Sequence, residues 1–327
     1  MSKFIMVLMR ILALVTLVAV TGHATAQHTY PSRPIRIIVA FPSGGSVDPL
    51  ARLIGQKLTE SWGQQVIIDN RPGGNSIIGT EAGAKAKPDG YTLLMAGGTL
   101  LINANIYPNL PYDAIRDFAA VASLVSTELL LVVNPSLPVH TVKEFIALAK
   151  AKPGQLNYGS SASGGSIHLS TELLSMAAGI KMQHIPYKGA APSITDLISG
   201  QLQLVFQVPS AVIAHIKSGR LRAIAVSGES RLIALPQTPT LTEAGLSGVN
   251  VRNWNGLIAP AGTLREIIEK LAGEIAKILA IPDVRATLMN EGNTPLILTP
   301  DQLSALMRAD LAKFAKIVKA ANIKAEN

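Results

Sequence analysis

Two short stretches of the chain repeat each other. Ser43-Gly44-Gly45-Ser46 and Ser163-Gly164-Gly165-Ser166 each follow an apolar, β-rich run and precede a run with helical apolar spacing. A Gly-rich turn between strand and helix lets backbone amides converge on a ligand, because no Cβ stands in the way, and it sets them at the positive end of a helix dipole. The chemistry this favours is capture of a small anion such as a carboxylate. Nucleotide phosphate does not fit the pattern, since neither turn ends in Gly-Lys-Ser/Thr and neither contains G-x-G-x-x-G. Around the first turn Asp48 reads as an N-cap and Pro49 as the first helical position, with Leu50, Leu53, Ile54 and Leu58 on one apolar face. That reading leaves the N–H groups of Gly44, Gly45 and Ser46 free for a ligand; the alternative is an ordinary tight connection. If each turn heads a helix in its own α/β half, two helix N-termini face one cleft, which suits a molecule with an anionic group at each end.

Catalytic patterns are missing. "GSSASGGS" holds no G-x-S-x-G elbow, and no Ser-x-x-Lys occurs. The histidines beyond the leader, His28, His140, His168, His184 and His215, share no helical turn and no H-x-H spacing, and there is no Cys, so no zinc cluster or other cofactor site is expected. His168, just inside the second turn's helix, either donates to an anion or bonds the loop backbone, the second being the favoured reading. Asp48 reads better as a cap than as a ligand contact, because a carboxylate repels an anion. Arg71, in the turn Asn70-Arg71-Pro72-Gly73-Gly74-Asn75, and Lys188 are equally well read as solvated loop residues.

The elements that must position these turns follow from periodicity. Strands over 35–41, 65–69 and 91–96 alternate with helices over 48–61 and 77–86. A second series has strands over 129–133, 155–159 and 202–206 and helices over 141–151, 166–178, 191–199 and 210–218. Helices near 263–280 and 300–320 close the chain. The alternation reads as an open parallel sheet of the α/β class.

The first 26 residues read as a leader rather than fold: Lys3 and Arg10 form a basic start, Ile11 to Val20 an apolar run, and Ala24-Thr25-Ala26 a cleavage site, so that the mature chain begins at Gln27. An exported product without cysteine carries neither disulfide nor lipid anchor, so a packed core must hold it. Setting 26 of 327 residues aside leaves 301, enough for two cored domains, with 27 basic against 21 acidic side chains, a net of +6. Scattered charge and 4% aromatic residues argue against a nucleic-acid groove and for weak attraction of anions.

A run of phrases gives the chain a relative. "YPSRPIRIIV", "NRPGGNSIIG", "PDGYTLLM", "LPYDAIRDFAAVA", "LNYGSS", "HIPYKGAAPSITDLISGQ", "HIKSGRLRAIAVSG" and "GLIAPAGT" occur in order over about residues 30 to 320. Together they closely resemble the Bug-type (Bordetella uptake gene) solute receptors of tripartite tricarboxylate transporters. The resemblance implies a periplasmic binding protein of the two-lobed, class II type, monomeric and non-catalytic, which hands a small carboxylate to integral membrane transporter subunits. It places lobe one at about 27–125 plus 226–327 and lobe two at about 126–225. It also implies a grip by loop amides, hydroxyls and ordered water, which maps onto Phe41, Gly44, Gly45, Ser46 and Asp48 in the first turn. In the second lobe it maps onto Ser160, Ser161, Ser163, Gly164, Gly165, Ser166 and His168, with Gln207 beside them. Val47 stands where the family commonly has Thr or another small polar residue, Gln207 where Asp is frequent, and Asn255 where an aromatic is common; these departures bear on which ligand binds. A sensory accessory that docks on a membrane sensor would use the same closure, and a periplasmic hydrolase is disfavoured by the missing motifs.

Overall fold

The computed structural model describes residues 30–45, 47–160, 164–187, 189–249 and 253–324; the leader and the cleavage site lie outside them. Residues Arg33–Asn327 pack as one compact unit. In its first series Ile35–Val39 (β1), Val66–Asn70 (β2) and Thr92–Gly97 (β3) alternate with Val47–Trp62 (α1), Ile77–Ala84 (α2) and Gly98–Ile106 (α3). β1 reads Ile-Arg-Ile-Ile-Val and is almost wholly buried, as suits a strand covered on both faces. α1 buries Leu50, Ile54 and Leu58 of the face its spacing predicts, leaves Leu53 half-buried, and buries Ala51 beside them.

Phe118–Thr127 (β4) then leads into Leu130–Val133 (β5) and the second series: Val142–Ala151 (α4), Asn157–Ser160 (β6), Ser166–Ala178 (α5), Gln183–Pro186 (β7), Ala190–Ser199 (α6), Leu204–Gln207 (β8), Pro209–Lys217 (α7) and Arg222–Val226 (β9). The chain finishes with Asn253–Pro260 (β10), Arg265–Ala280 (α8), Pro282–Asn290 (α9), Asn293–Pro295 (β11) and Pro300–Ala320 (α10).

The strands form two sheets, ordered β11-β4-β10-β3-β1-β2 and β7-β6-β8-β5-β9. Neither is the purely parallel sheet that the alternation suggested. In the first, β2, β1 and β3 are parallel, while β10 is antiparallel to both β3 and β4 and β11 antiparallel to β4. In the second, β7, β6 and β8 are parallel, and β5 is antiparallel to β8 and β9. The physical reason is the connection: β4 and β10 are long strands of the first sheet that adjoin the second-sheet strands β5 and β9 in sequence, so they do not return through a crossover helix.

The two sheets share a plan. In each, the first of the three parallel strands (β1 or β6) lies between the second and the third, so the connection after it runs one way and the later strand adds on the other side. Such a reversal of strand order opens a crevice outside the carboxyl ends of the strands. Both Ser-Gly-Gly-Ser stretches leave those central first strands.

The core lies against both sheets. One cluster joins Ile38, Leu94, Leu101, Trp254, Ile258 and Phe314, and Leu169 of α5 is buried in the same cluster, so α5 packs on first-sheet elements. Trp254 Nε1–H donates to Asp310 Oδ2 at 2.8 Å, which ties α10 to β10. α4 and α10 begin with complete capping boxes, Thr141 with Glu144 and Thr299 with Gln302.

Candidate functional site

The first turn is held by an acid. Asp48 is 3% exposed. Its Oδ2 accepts from Gly44 N–H at 3.0 Å, Arg52 Nε–H at 3.0 Å and the Ser43 hydroxyl at 3.3 Å, while Oδ1 accepts from Asn70 Nδ2–H at 3.0 Å. Asn70 also donates to the Phe41 carbonyl at 3.2 Å. Burial pushes the Asp48 carboxyl up, but the hydrogen bonds from Arg52, Gly44 and Asn70, with the Arg52 charge, outweigh it and bring the pKa to about 2.

This corrects the reading of the turn in two respects. The helix starts at Val47, so Asp48 is its second residue and not its N-cap, and the carboxylate reaches back to collect donors from the turn. Nor are the glycine amides free: Gly44 N–H is spent on Asp48, and Gly45 N–H donates to the Pro42 carbonyl at 3.3 Å. Gly44 itself has φ +80°, a conformation that suits a residue without a Cβ. Ser46, the remaining candidate here, lies outside the described residues.

The second turn is built differently. Ser160 ends β6 and is 1% exposed; its hydroxyl lies 2.7 Å from His184 Nε2, and its carbonyl accepts Tyr187 N–H at 2.9 Å. Gly164, at φ +72°, donates its N–H to His168 Nδ1 at 2.9 Å. An amide donor at Nδ1 assigns the imidazole proton to Nε2, which lies 4.0 Å from Glu172 Oε1. His168 thus makes the bond to loop backbone favoured for it. Burial, then the neighbouring His184, holds its pKa down at about 3, so it stays a neutral acceptor.

The rings of His168 and His184 stack at 3.7 Å between centroids, and Tyr158 stacks on His184 at 5.0 Å. The Tyr158 hydroxyl donates to Glu172 Oε1, and burial followed by that carboxylate pushes the phenol up. The Ser160–His184 contact has the reach of a nucleophile and its base, but the hydroxyl is buried and the imidazole is held in a stack, so the pair braces the turn. Gly165 is the N-cap residue of α5 and offers no side-chain cap; Ser166 opens the helix. Ser161, Ser163 and Lys188 lie outside the described residues.

Gln207 ends β8, 1% exposed, with its Oε1 accepting Val208 N–H at 3.2 Å. Because β6 and β8 are adjacent and parallel, Ser160 and Gln207 flank the same crevice of the second sheet. Gly97, at the end of β3, pairs with Asn255 of β10 beside the matching crevice of the first.

Among the described residues no hydrogen bond or ring contact joins the two Gly-rich turns. Gly164 packs instead against Ile106, the last residue of α3, and Ile323. Arg71 pairs with Asp69 at 2.8 Å on the surface, as a loop residue would.

Several residues escaped the sequence reading. His184, Tyr158 and Glu172 meet His168 only because Tyr158 and His184 occupy partner positions on parallel strands. A second group, Asn75 and Ser76, adopts positive φ (51° and 73°) and is held by buried Asn103, which exchanges side-chain hydrogen bonds with Asn75 at 2.9 Å and its carbonyl at 2.7 Å. The signal for that loop is the Gly73-Gly74-Asn75 run itself, two residues after Arg71.

Comparison with known proteins agrees with this architecture. Residues 50–323 match the tripartite tricarboxylate transporter family receptor model, TctC. Protein BugT of Bordetella pertussis is 36% identical over 315 residues, covering 95% of this chain and 97% of its own. Among solved structures, Rpa4515 of R. palustris, determined with adipate, is 35% identical with a TM-score of 0.82, covering 90% of this chain and 99% of its own. MatC of Rhodopseudomonas palustris, determined with bound malate, is 28% identical with a TM-score of 0.77, covering 88% and 100%. The two-lobed α/β fold is therefore that of periplasmic solute-binding proteins, and the chain belongs to the tripartite tricarboxylate transporter receptor family, the Bug-type receptors, which are binding proteins and not enzymes.

Proposed function

We propose that this chain is an exported receptor that captures a small di- or tricarboxylate between its two sheets and delivers it to the membrane subunits of a tripartite tricarboxylate transporter. Lobe one comprises residues 27–125 and 226–327 and lobe two 126–225, with cleavage after Ala26 releasing a monomeric protein into the periplasm. The observation that carries the reading is the start of α5. A helix leaves its first four N–H groups without intrahelical partners, and an end that is sheltered from water needs something to meet them. α4 and α10 meet theirs with capping boxes. α8 and α9 have no side-chain cap, but they follow exposed residues, Leu264 at 58% and Ile281 at 38% exposure, where water serves.

Among the described residues α5 has no capping side chain and no exposed residue before it. Gly164 is buried and Gly165 and Ser166 are half-buried, the N-cap Gly165 has no side chain to cap with, and among the described residues the Gly164 N–H is met by His168 Nδ1. A carboxylate supplies what is missing, with charge-assisted hydrogen bonds of about 1.5–3 kcal/mol each. Relatives determined with adipate and with malate support a carboxylate of this size. The first turn, where Asp48 already holds the donors, shapes the opposite wall.

Native mass spectrometry of the protein purified from its own periplasm tests the proposal. Release of an unchanged small organic acid on denaturation is expected. Recovery of a ligand without a carboxylate, together with no thermal shift in the presence of adipate or malate, would overturn it.

A further inference from the structure

Gln207 keeps a polar group where the surrounding structure has no use for it. It is the last residue of β8, 1% exposed, and its Nε2 has no hydrogen-bond partner among the described residues. Buried side-chain nitrogens are nearly always paired, so an orphan in a folded protein asks for an explanation, and a bound ligand is one. Its orientation is fixed by chemistry. Oε1 accepts the N–H of Val208, and turning the amide over would set Nε2 against that same N–H, donor against donor. The open half of the side chain is therefore a donor only.

Its place is equally specific. β8 lies beside β6, where the strand order of the second sheet reverses, and Gln207 caps the carboxyl end of β8 as Ser160 caps that of β6. Ligands of open α/β sheets bind at this crevice. Pro209, two residues on, lies against Gly292, next to β11 of the first sheet, so Gln207 sits where elements of the two sheets approach each other.

We infer that Gln207 is a specificity-determining residue, whose Nε2 donates to an oxygen of the bound acid and, being a donor only, can accept nothing from an ammonium group set against it. The receptor then takes plain or hydroxylated organic acids and rejects amino acids of the same skeleton. This rests on the carboxylate-receptor reading and adds the class of acid.

The test is calorimetry with malate, adipate and aspartate on the mature protein and on Gln207→Met, Gln207→Leu and Gln207→Glu, beside the thermal midpoint of each without ligand. Malate and aspartate differ by hydroxyl against ammonium. The wild type is expected to bind malate or adipate and to bind aspartate at least tenfold more weakly. Gln207→Met and Gln207→Leu should lose roughly tenfold to a hundredfold in affinity for the acid, the worth of one charge-assisted hydrogen bond, with an unchanged or higher midpoint because an orphan donor has gone. Gln207→Glu, which offers an acceptor, should narrow the gap between malate and aspartate. Wild-type affinity in Gln207→Met and Gln207→Leu, a fall in midpoint that alone accounts for their weaker binding, or equal binding of malate and aspartate by the wild type would overturn the inference and leave the receptor reading standing. Binding of none of the three acids by the wild type would overturn that reading, and this inference with it.

Discussion

Replacing Asp48 by Asn removes one charge from the first turn and tests whether the turn is organised by that charge. The carboxylate accepts four hydrogen bonds, three of them at 3.0 Å, from Gly44, Arg52 and Asn70. An amide keeps one acceptor and turns the other into a donor, which then faces the N–H groups of Gly44 and Arg52. The ionised form is favoured in the folded protein because the pKa falls from 3.8 to about 2.

Linkage sets the sign. A depressed acid contributes stability that is complete above the unfolded value and lost as pH falls through the folded one, so the contribution is full at pH 7, about 2 kcal/mol, and about half that at pH 3. With an unfolding entropy of about 2.1 cal/mol/K per residue, a unit of 295 residues (Arg33–Asn327) converts 2 kcal/mol into about 3 °C of midpoint. Differential scanning calorimetry of wild type and Asp48→Asn at pH 7 and pH 3 measures it. A variant at least about 3 °C less stable at pH 7, with the gap narrowing at pH 3, is expected. A gap that does not change with pH, or none, would refute the reasoning that an ionised Asp48 holds the turn.

Three further outcomes follow from the same structure. His168 is held neutral with a pKa of about 3, so the unfolded chain takes up a proton that the folded one refuses; stability should fall by about 2 kcal/mol between pH 7 and pH 5. Urea titrations should show that slope in the wild type and lose it in His168→Gln. Gly164→Ala places a methyl group 2.3 Å from the Ile106 Cδ1 and an L-residue at φ +72°, costing about 1–2 kcal/mol from the backbone alone. Adding Ile106→Ala should recover only the steric share, and full recovery would argue that the left-handed conformation is unimportant. N-terminal sequencing of periplasmic protein should begin at Gln27, against retention of the whole chain in the inner membrane.

Much of the frame was legible because its signals are local. β1, α1, α4 and the terminal α10 announce themselves through apolar spacing, and the repeated Ser-Gly-Gly-Ser marks equivalent places in the two sheets. What escaped depends on partners distant in sequence. β4 reads Phe-Ala-Ala-Val-Ala-Ser-Leu-Val-Ser-Thr, small and buried with no alternation, so it carries no strand period. α3 starts at Gly98 directly from β3 without a turn between them. Asp48 looked like a cap because acids at helix starts usually are; that it turns back to Gly44, Arg52 and Asn70 is a property of the folded turn. The stack of His168 on His184 needs the register of β6 against β7, which no spacing in the sequence supplies. Gln207 drew notice only by departing from a family pattern, and its unpartnered nitrogen became visible only once its burial was known.

Everything proposed for this receptor depends on the crevice between the sheets binding a small carboxylate through desolvated hydrogen bonds. Calorimetric titration of the mature protein with adipate and malate, each beside its dimethyl ester, at low and high salt, tests it most directly. Saturable one-to-one binding of a free acid is expected, with a loss of roughly a hundredfold in its ester, the worth of two modest charge-assisted bonds. The affinity should persist in high salt, because general attraction by a positively charged protein is screened beyond about 8 Å at physiological ionic strength while a buried contact is not. Equal binding of acid and ester, binding that vanishes with salt, or no binding of either acid would contradict it.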